Sequence, residues 1–198
     1  MAGSLEVPGS SMYTAINRKA PQTRKELKCF LTEVQDLGFL NRLESLKLSV
    51  HRDYVRHLIR LPLNLKKLTV SGFYMSREQM NIIGRLPNRV VLKLREGSFH
   101  RRQWNTTEGE FQQLKFLELF SVQNTEWNAS SDHFPRLQRL VLRHCKSLEK
   151  IPSSFCDILS LLIIEVHHCQ QSVAESAMQI QEEQRDMGND ELQVIIST

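Results

Sequence analysis

The chain has 198 residues, of which 40% are hydrophobic and 24% charged, and it carries a formal net charge of +4. That is the length of one ordinary domain or a short repeat array, and its apolar content is too high for wholesale disorder. No apolar run approaches the roughly 20 residues of a membrane-spanning helix. Four cysteines are too few for a disulfide framework, which points to a reducing compartment and a cytoplasmic location.

Residues 1–11 (MAGSLEVPGSS) are small and polar, lack the apolar centre of a secretory signal, and read as a tail. Residues 17–28 set Arg18, Lys19, Arg24, Lys25 and Lys28 against Glu26, a local +4. Leu27, Phe30, Leu31 and Val34 supply apolar positions for a degenerate first repeat, so residues 1–36 are taken together as the N-terminal region.

Residues 37–171 repeat themselves. Leu40, Leu43, Leu46 and Leu48 are spaced 3, 3 and 2, and the spacing returns at Phe111, Leu114, Leu117 and Leu119. It returns again at Phe134, Leu137, Leu140 and Leu142, and at Ile158, Leu161, Ile164 and Val166. Two looser copies lie between. One holds Pro62, Leu65, Leu68 and Val70; the other holds Leu86, Leu92 and Leu94, with Arg89 in a leucine slot. The last apolar positions, 48, 70, 94, 119, 142 and 166, are 22 to 25 residues apart, within the period of leucine-rich repeats. The spacing predicts an α/β fold: a leucine-rich-repeat solenoid of about six units, with a curved parallel sheet on its concave face and irregular or short-helical returns on its convex side. One strand cannot bury its own apolar face, but stacked copies make a continuous core. Gly72, Pro87, Gly109 and Pro135 punctuate the returns.

Residues 172–198 change style and read as a cap. Ser172 and Glu175 form an S-x-x-E capping box, Val173, Ala177 and Ile180 share a helix face, and Gly188 stops the helix. Leu192, Val194 and Ile196 then alternate as in a strand. This end is acidic, a local −5, while the middle of the chain is basic.

The run FPRLQRLVLRHCKSLEKIPSSFCDILSLLII (134–164) resembles the last repeats of plant intracellular immune receptors, the coiled-coil, nucleotide-binding, leucine-rich-repeat resistance proteins. The solanaceous late-blight type fits best: its LPNLEVLKL is answered by LPNRVVLKL (86–94), and its EGEFPQLKFL by EGEFQQLKFL (108–117). The ending SVAESAMQIQEEQRDMGND (172–190) also resembles its terminal helix. The resemblance implies a non-catalytic recognition or regulatory module in defence and the hypersensitive response. Its partner would be a protein, either a pathogen effector or the receptor's own nucleotide-binding domain. Nothing here matches the phosphate-binding loop G-x-x-x-x-G-K-[ST], so no cofactor is expected for this chain.

Chemistry-bearing patterns are few. No G-x-S-x-G, H-E-x-x-H or paired-carboxylate arrangement is present, and no enzyme activity is expected. Cys145 and Cys169 each follow the last strand position by three residues, the slot that takes Asn or Cys in this repeat. That slot explains them, and a metal site with His144, His167 and His168 is not expected. Asn105 and Asn128 head sequons that matter only on a secreted chain. Trp104 and Trp127 fall in the longer returns, where hydrophobic plugging is the default reading and anchoring a partner the alternative.

Strand alternation selects the candidate site. Residues between the core positions face the open side of the sheet, and the partner-binding set is Lys93, Arg95, Phe116, Glu118, Phe120, Arg139, Arg143, Glu165 and His167. Arg95 and Arg143 should flank Phe120 on neighbouring strands, about 4.8 Å to either side. Aromatic rings between arginines make the composition of an interface hot spot; the competing reading is that arginine stems merely cover the rings. Two other functions fit a basic repeat array: a substrate adaptor for ubiquitin ligation, and a nucleic-acid surface. The first lacks an F-box-like region, and the second has only diffuse charge.

Overall fold

The computed structural model describes residues 26–31, 35–50 and 58–197. The expectations for residues 1–25, for Val34, and for the side chains of Leu27, Phe30 and Leu31 lie outside the described residues.

The elements run in chain order as β1 (Glu26–Leu31), β2 (Gln35–Asp36), β3 (Ser45–Val50), β4 (Leu58–Arg60), β5 (Lys67–Ser71) and β6 (Tyr74–Met75). Helix α1 (Arg77–Gly84) follows, then β7 (Val91–Arg95), β8 (Ser98–Phe99), β9 (Gln103–Asn105), β10 (Phe116–Phe120) and β11 (Glu126–Asn128). The chain ends with β12 (Arg139–Arg143), β13 (Ile163–His167), α2 (Gln171–Asp186) and β14 (Gln193–Ser197). The fold is α/β, and the described residues form an eight-stranded sheet in the order β1-β3-β5-β7-β10-β12-β13-β14. Every neighbouring pair in it is parallel.

The leucine spacing sets the register of that sheet. Leu46, Leu68, Leu92, Leu117, Leu140 and Ile164 pair in one row, and Leu48, Val70, Leu94, Leu119, Leu142 and Val166 in a second. All twelve are buried. A slip of one residue would turn a strand's whole apolar set outward, so burial on one face fixes the pairing. The architecture is compatible with the leucine-rich-repeat reading.

Each strand of the main sheet from β5 to β13 ends in the same left-handed turn. Gly72, Glu96, Ser121, His144 and His168 have φ of 71°, 54°, 53°, 53° and 52°. Each turns its amide onto the carbonyl that closes the next strand: Gly72 onto Arg95, Glu96 onto Phe120, Ser121 onto Arg143, His144 onto His167 and His168 onto Ser197, at 2.8–2.9 Å. That bond extends the ladder by one residue and holds four non-glycine residues in a conformation that costs L-amino acids energy. Gly97, next in line after Glu96, must lack a side chain, because a Cβ there would stand 2.4 Å from the Phe73 ring.

Behind the main sheet the returns make three short parallel pairs, β2–β4, β6–β8 and β9–β11. On β9 and β11 the rings of Trp104 and Trp127 stack, centroids 4.8 Å apart and planes 7° apart. Phe99, Phe111, Phe134 and Phe155 surround them. Both indoles are buried, so these tryptophans plug the core and do not present an anchor.

The C-terminal helix starts before the expected capping box. Gln170 holds the N-cap position without a side-chain cap bond, which places Ser172 inside the first turn. Val173, Ala177 and Ile180 are buried, and Gly188 ends the segment with φ of 85°. The alternating strand is β14, which pairs with β13 as the eighth strand of the sheet, with Val194 opposite Ile164.

Candidate functional site: the open face of the sheet

The side chains between the two buried rows emerge on the other face and line up in three rows. The first runs Val91, Phe116, Arg139, Ile163 across β7, β10, β12 and β13. The middle row is Lys93, Glu118, Val141, Glu165, and the last is Arg95, Phe120, Arg143, His167. Every residue of the candidate set therefore lies on one face, and Phe120 stands between Arg95 and Arg143 in register.

Two carboxylates organise this face. Glu118 is only 6% exposed and Glu165 only 5%, so each needs cations around it. Lys93 Nζ donates to Glu118 Oε2 at 2.8 Å, and Arg95 Nη2 to Oε1 at 2.5 Å. Arg139 binds Glu165 through both Nε, at 2.8 Å, and Nη2; Arg143 Nη2 reaches Oε2 at 3.2 Å. His167 Nε2 stands 3.0 Å from that same oxygen. Burial alone would push both carboxyls up, but their partners outweigh it and hold both below the ordinary glutamate value: Lys93 and Arg95 at Glu118, and the His167 hydrogen bond with Arg139 and Arg143 at Glu165. Val141, opposite Glu118 and Glu165 on its two sides, is buried with them.

The rings sit against these cations. Lys93 Nζ lies 4.9 Å from the Phe116 centroid, and the Arg139 guanidinium 6.0 Å from it on the other side. The Arg95 guanidinium lies 5.9 Å from the Phe120 ring, whose edge meets His144 with centroids 5.5 Å apart. Both rings stay half-buried. Glu118 and Glu165, expected as contact residues, are instead buried beneath the cations and aim them. Arg139 and Arg143 remain exposed.

One feature of this region escaped the spacing argument. His144 and His168, in the left-handed turns, stack with centroids 4.8 Å apart at the end of the strands. Their signal was the 24-residue step between two histidine–cysteine pairs, 144–145 and 168–169. Cys145 is buried, with Sγ 3.4 Å from the Leu119 carbonyl and 3.5 Å from that of Arg143, as its slot predicts. Among the described residues, no group of three or more His, Cys, Asp or Glu is placed to hold a metal ion. No helix among them is long and apolar enough to cross a membrane.

The chain is similar to resistance proteins of Solanum demissum. It is 43% identical over 176 residues to a putative late blight resistance protein homolog, covering 84% of this chain and 14% of that protein. It is 39% identical over 175 residues to late blight resistance protein R1-A, covering 84% of this chain and 14% of the relative. With another putative late blight resistance protein homolog the identity is 38% over 208 residues, covering 97% of this chain and 27% of that protein. The chain thus spans only a small part of the length of these relatives. No family model matches the chain.

Proposed function

We propose that this chain, homologous over most of its length to late blight resistance proteins and consistent with a C-terminal region of that receptor type, is a non-catalytic protein-recognition module of plant disease resistance. It is a leucine-rich-repeat solenoid acting in the cytoplasm, needs no cofactor of its own, and binds a protein partner through the open face of its sheet. That partner is a pathogen effector or the receptor's own nucleotide-binding domain.

The observation that carries this reading is the row Arg95–Phe120–Arg143. A half-buried ring lies between two guanidinium groups that carboxylates already hold in place. The row suits a partner that offers an acidic residue beside an apolar one. Aromatic and arginine side chains ordered in advance are what interface hot spots are made of.

The test is a binding titration against the nucleotide-binding region of a late blight resistance protein, and against secreted effectors of the late blight pathogen. Phe120→Ala should lose about 2 kcal/mol or more of binding while its melting curve stays normal. Added salt should slow association more than it weakens the complex. A normal melting curve with unchanged affinity would remove this face from consideration. Tight binding to nucleic acid that collapses with salt would replace the reading with the electrostatic one.

A further inference from the structure

The turns that follow β12 and β13 carry one thiol each, at equivalent places. Arg143 and His167 are Cα partners across the two strands, and Cys145 and Cys169 each lie two residues beyond. The intervening histidines share one backbone conformation, φ 53° and 52°, and their rings stack. His144 N donates to His167 O at 2.9 Å, which carries the strand pairing into the turn. Each thiol also faces the carbonyl two residues before it: Cys145 that of Arg143 at 3.5 Å, Cys169 that of His167 at 3.4 Å. The second turn thus repeats the first, displaced by one strand spacing of about 4.8 Å. That displacement falls inside the Cα separation a disulfide spans, about 4.4–6.8 Å. The two thiols are close enough for each to shift the other's pKa.

We propose that Cys145 and Cys169 are a redox-active pair that closes to a disulfide by exchange with a small disulfide such as oxidised glutathione. The two sulfurs divide the work. Cys169 is partly exposed and Cys145 buried, so an incoming disulfide meets Cys169 first. The neighbouring Cys145 thiol brings Cys169 down to about 7, against burial, while Cys169 and burial push Cys145 up. Near neutral pH a substantial share of Cys169 is thiolate, the form that attacks. Its sulfur bonds to one glutathione sulfur and releases the other half as glutathione thiolate, which takes up a proton. Cys145 then gives up its proton and attacks Cys169 Sγ, forming the Cys145–Cys169 bond and releasing the second glutathione. The balance is two protein thiols and one oxidised glutathione to one protein disulfide and two reduced glutathiones. Cys156 lies outside this chemistry. Burial and the Glu183 and Asp157 carboxylates push it up to about 12, so it stays a protonated thiol.

The experiment equilibrates the whole chain, as a Cys156→Ser variant, in glutathione buffers from fully reduced to excess oxidised, then alkylates free thiols and digests with trypsin. Cleavage separates Cys145, in peptide 144–146, from Cys169, in peptide 151–185. The expected result is a disulfide joining these two peptides in oxidised buffer, reversed in reduced buffer, with circular dichroism unchanged. Cys145→Ser should leave Cys169 as a lasting mixed disulfide with glutathione. Full alkylation of both thiols in excess oxidised glutathione would overturn the proposal. So would a glutathione adduct on Cys169 that persists while Cys145 is present.

Discussion

Arg89 occupies a leucine slot, and replacing it with leucine should stabilise the protein. The equivalent positions in neighbouring repeats, Leu65, Leu114, Leu137 and Leu161, are fully buried, and Arg89 is buried with them at 1% exposure. Among the described residues, none of its three guanidinium nitrogens has a hydrogen-bond partner. The Phe111 ring is a favourable neighbour, with the guanidinium carbon 5.6 Å from the centroid. Burial pulls its pKa from 12.5 down to about 9, which corresponds to a penalty of roughly 5 kcal/mol on the charged form. The desolvated cation–π contact returns about 2 kcal/mol, and a leucine would leave unfilled volume costing ~1 kcal/mol. The net gain for Arg89→Leu is therefore roughly 2 kcal/mol. In a urea titration the midpoint should rise with the slope unchanged.

The same substitution carries a pH signature. An arginine whose folded pKa is depressed binds its proton in the unfolded chain but not in the native one between the two values. The unfolded state then holds more protons, and native stability rises with pH across that window. The gap between Arg89→Leu and the parent should thus narrow above pH about 9. A midpoint that falls on substitution, or a gap that stays constant with pH, would refute the reading of Arg89 as an unpaired buried cation.

Two further predictions test the register and the ion pairs. Leu140→Ala should cost roughly 2–5 kcal/mol, whereas Arg139→Ala, one residue away on the open face, should cost far less; equal losses in denaturant would contradict the pairing of β12. Glu118 and Glu165 are held below the ordinary carboxylate value, so the stability they contribute is present above the unfolded-state value and lost as pH falls through the folded one. Glu118→Gln with Glu165→Gln should flatten the loss of stability that sets in as pH falls below the ordinary glutamate value, measured by thermal melting.

The strands were legible because their signal is redundant. Leu117, Leu140 and Ile164 each sit at the same phase of a repeated 3-3-2 spacing, and the alternation of inward and outward residues follows from the backbone alone. The short pairs behind the sheet were not legible, since two or three residues on β6 or β9 are too few to show a period. Gly72 takes the left-handed conformation at no steric cost, but Glu96 and Ser121 adopt it without a local preference, and His144 and His168 with only a weak one. Bonds to the neighbouring strand hold them there, and only stacked copies supply those bonds. The Trp104–Trp127 stack had a readable signal, because its 23-residue separation equals one repeat. The capping box at Ser172 failed for a local reason: the helix begins earlier, at Gln171.

Alternation placed Glu118 and Glu165 on the open face but could not say that they would be buried there. Their burial depends on what stands on the adjacent strands: Lys93 and Arg95 beside Glu118, Arg139 and Arg143 beside Glu165. Long cationic side chains ordinarily forfeit rotamer freedom when a partner fixes them. Here the carboxylates have fixed them already, so that ordering cost falls on folding instead of on association. Four cations against two carboxylates also leave the face positive, with the charge held above Val141 and beside the Phe116 and Phe120 rings. A buried ion pair contributes little to stability once desolvation is counted. Its contribution here is geometric: two carboxylates, two strands apart, aim four cations and two rings outward from a sheet whose register the leucines set.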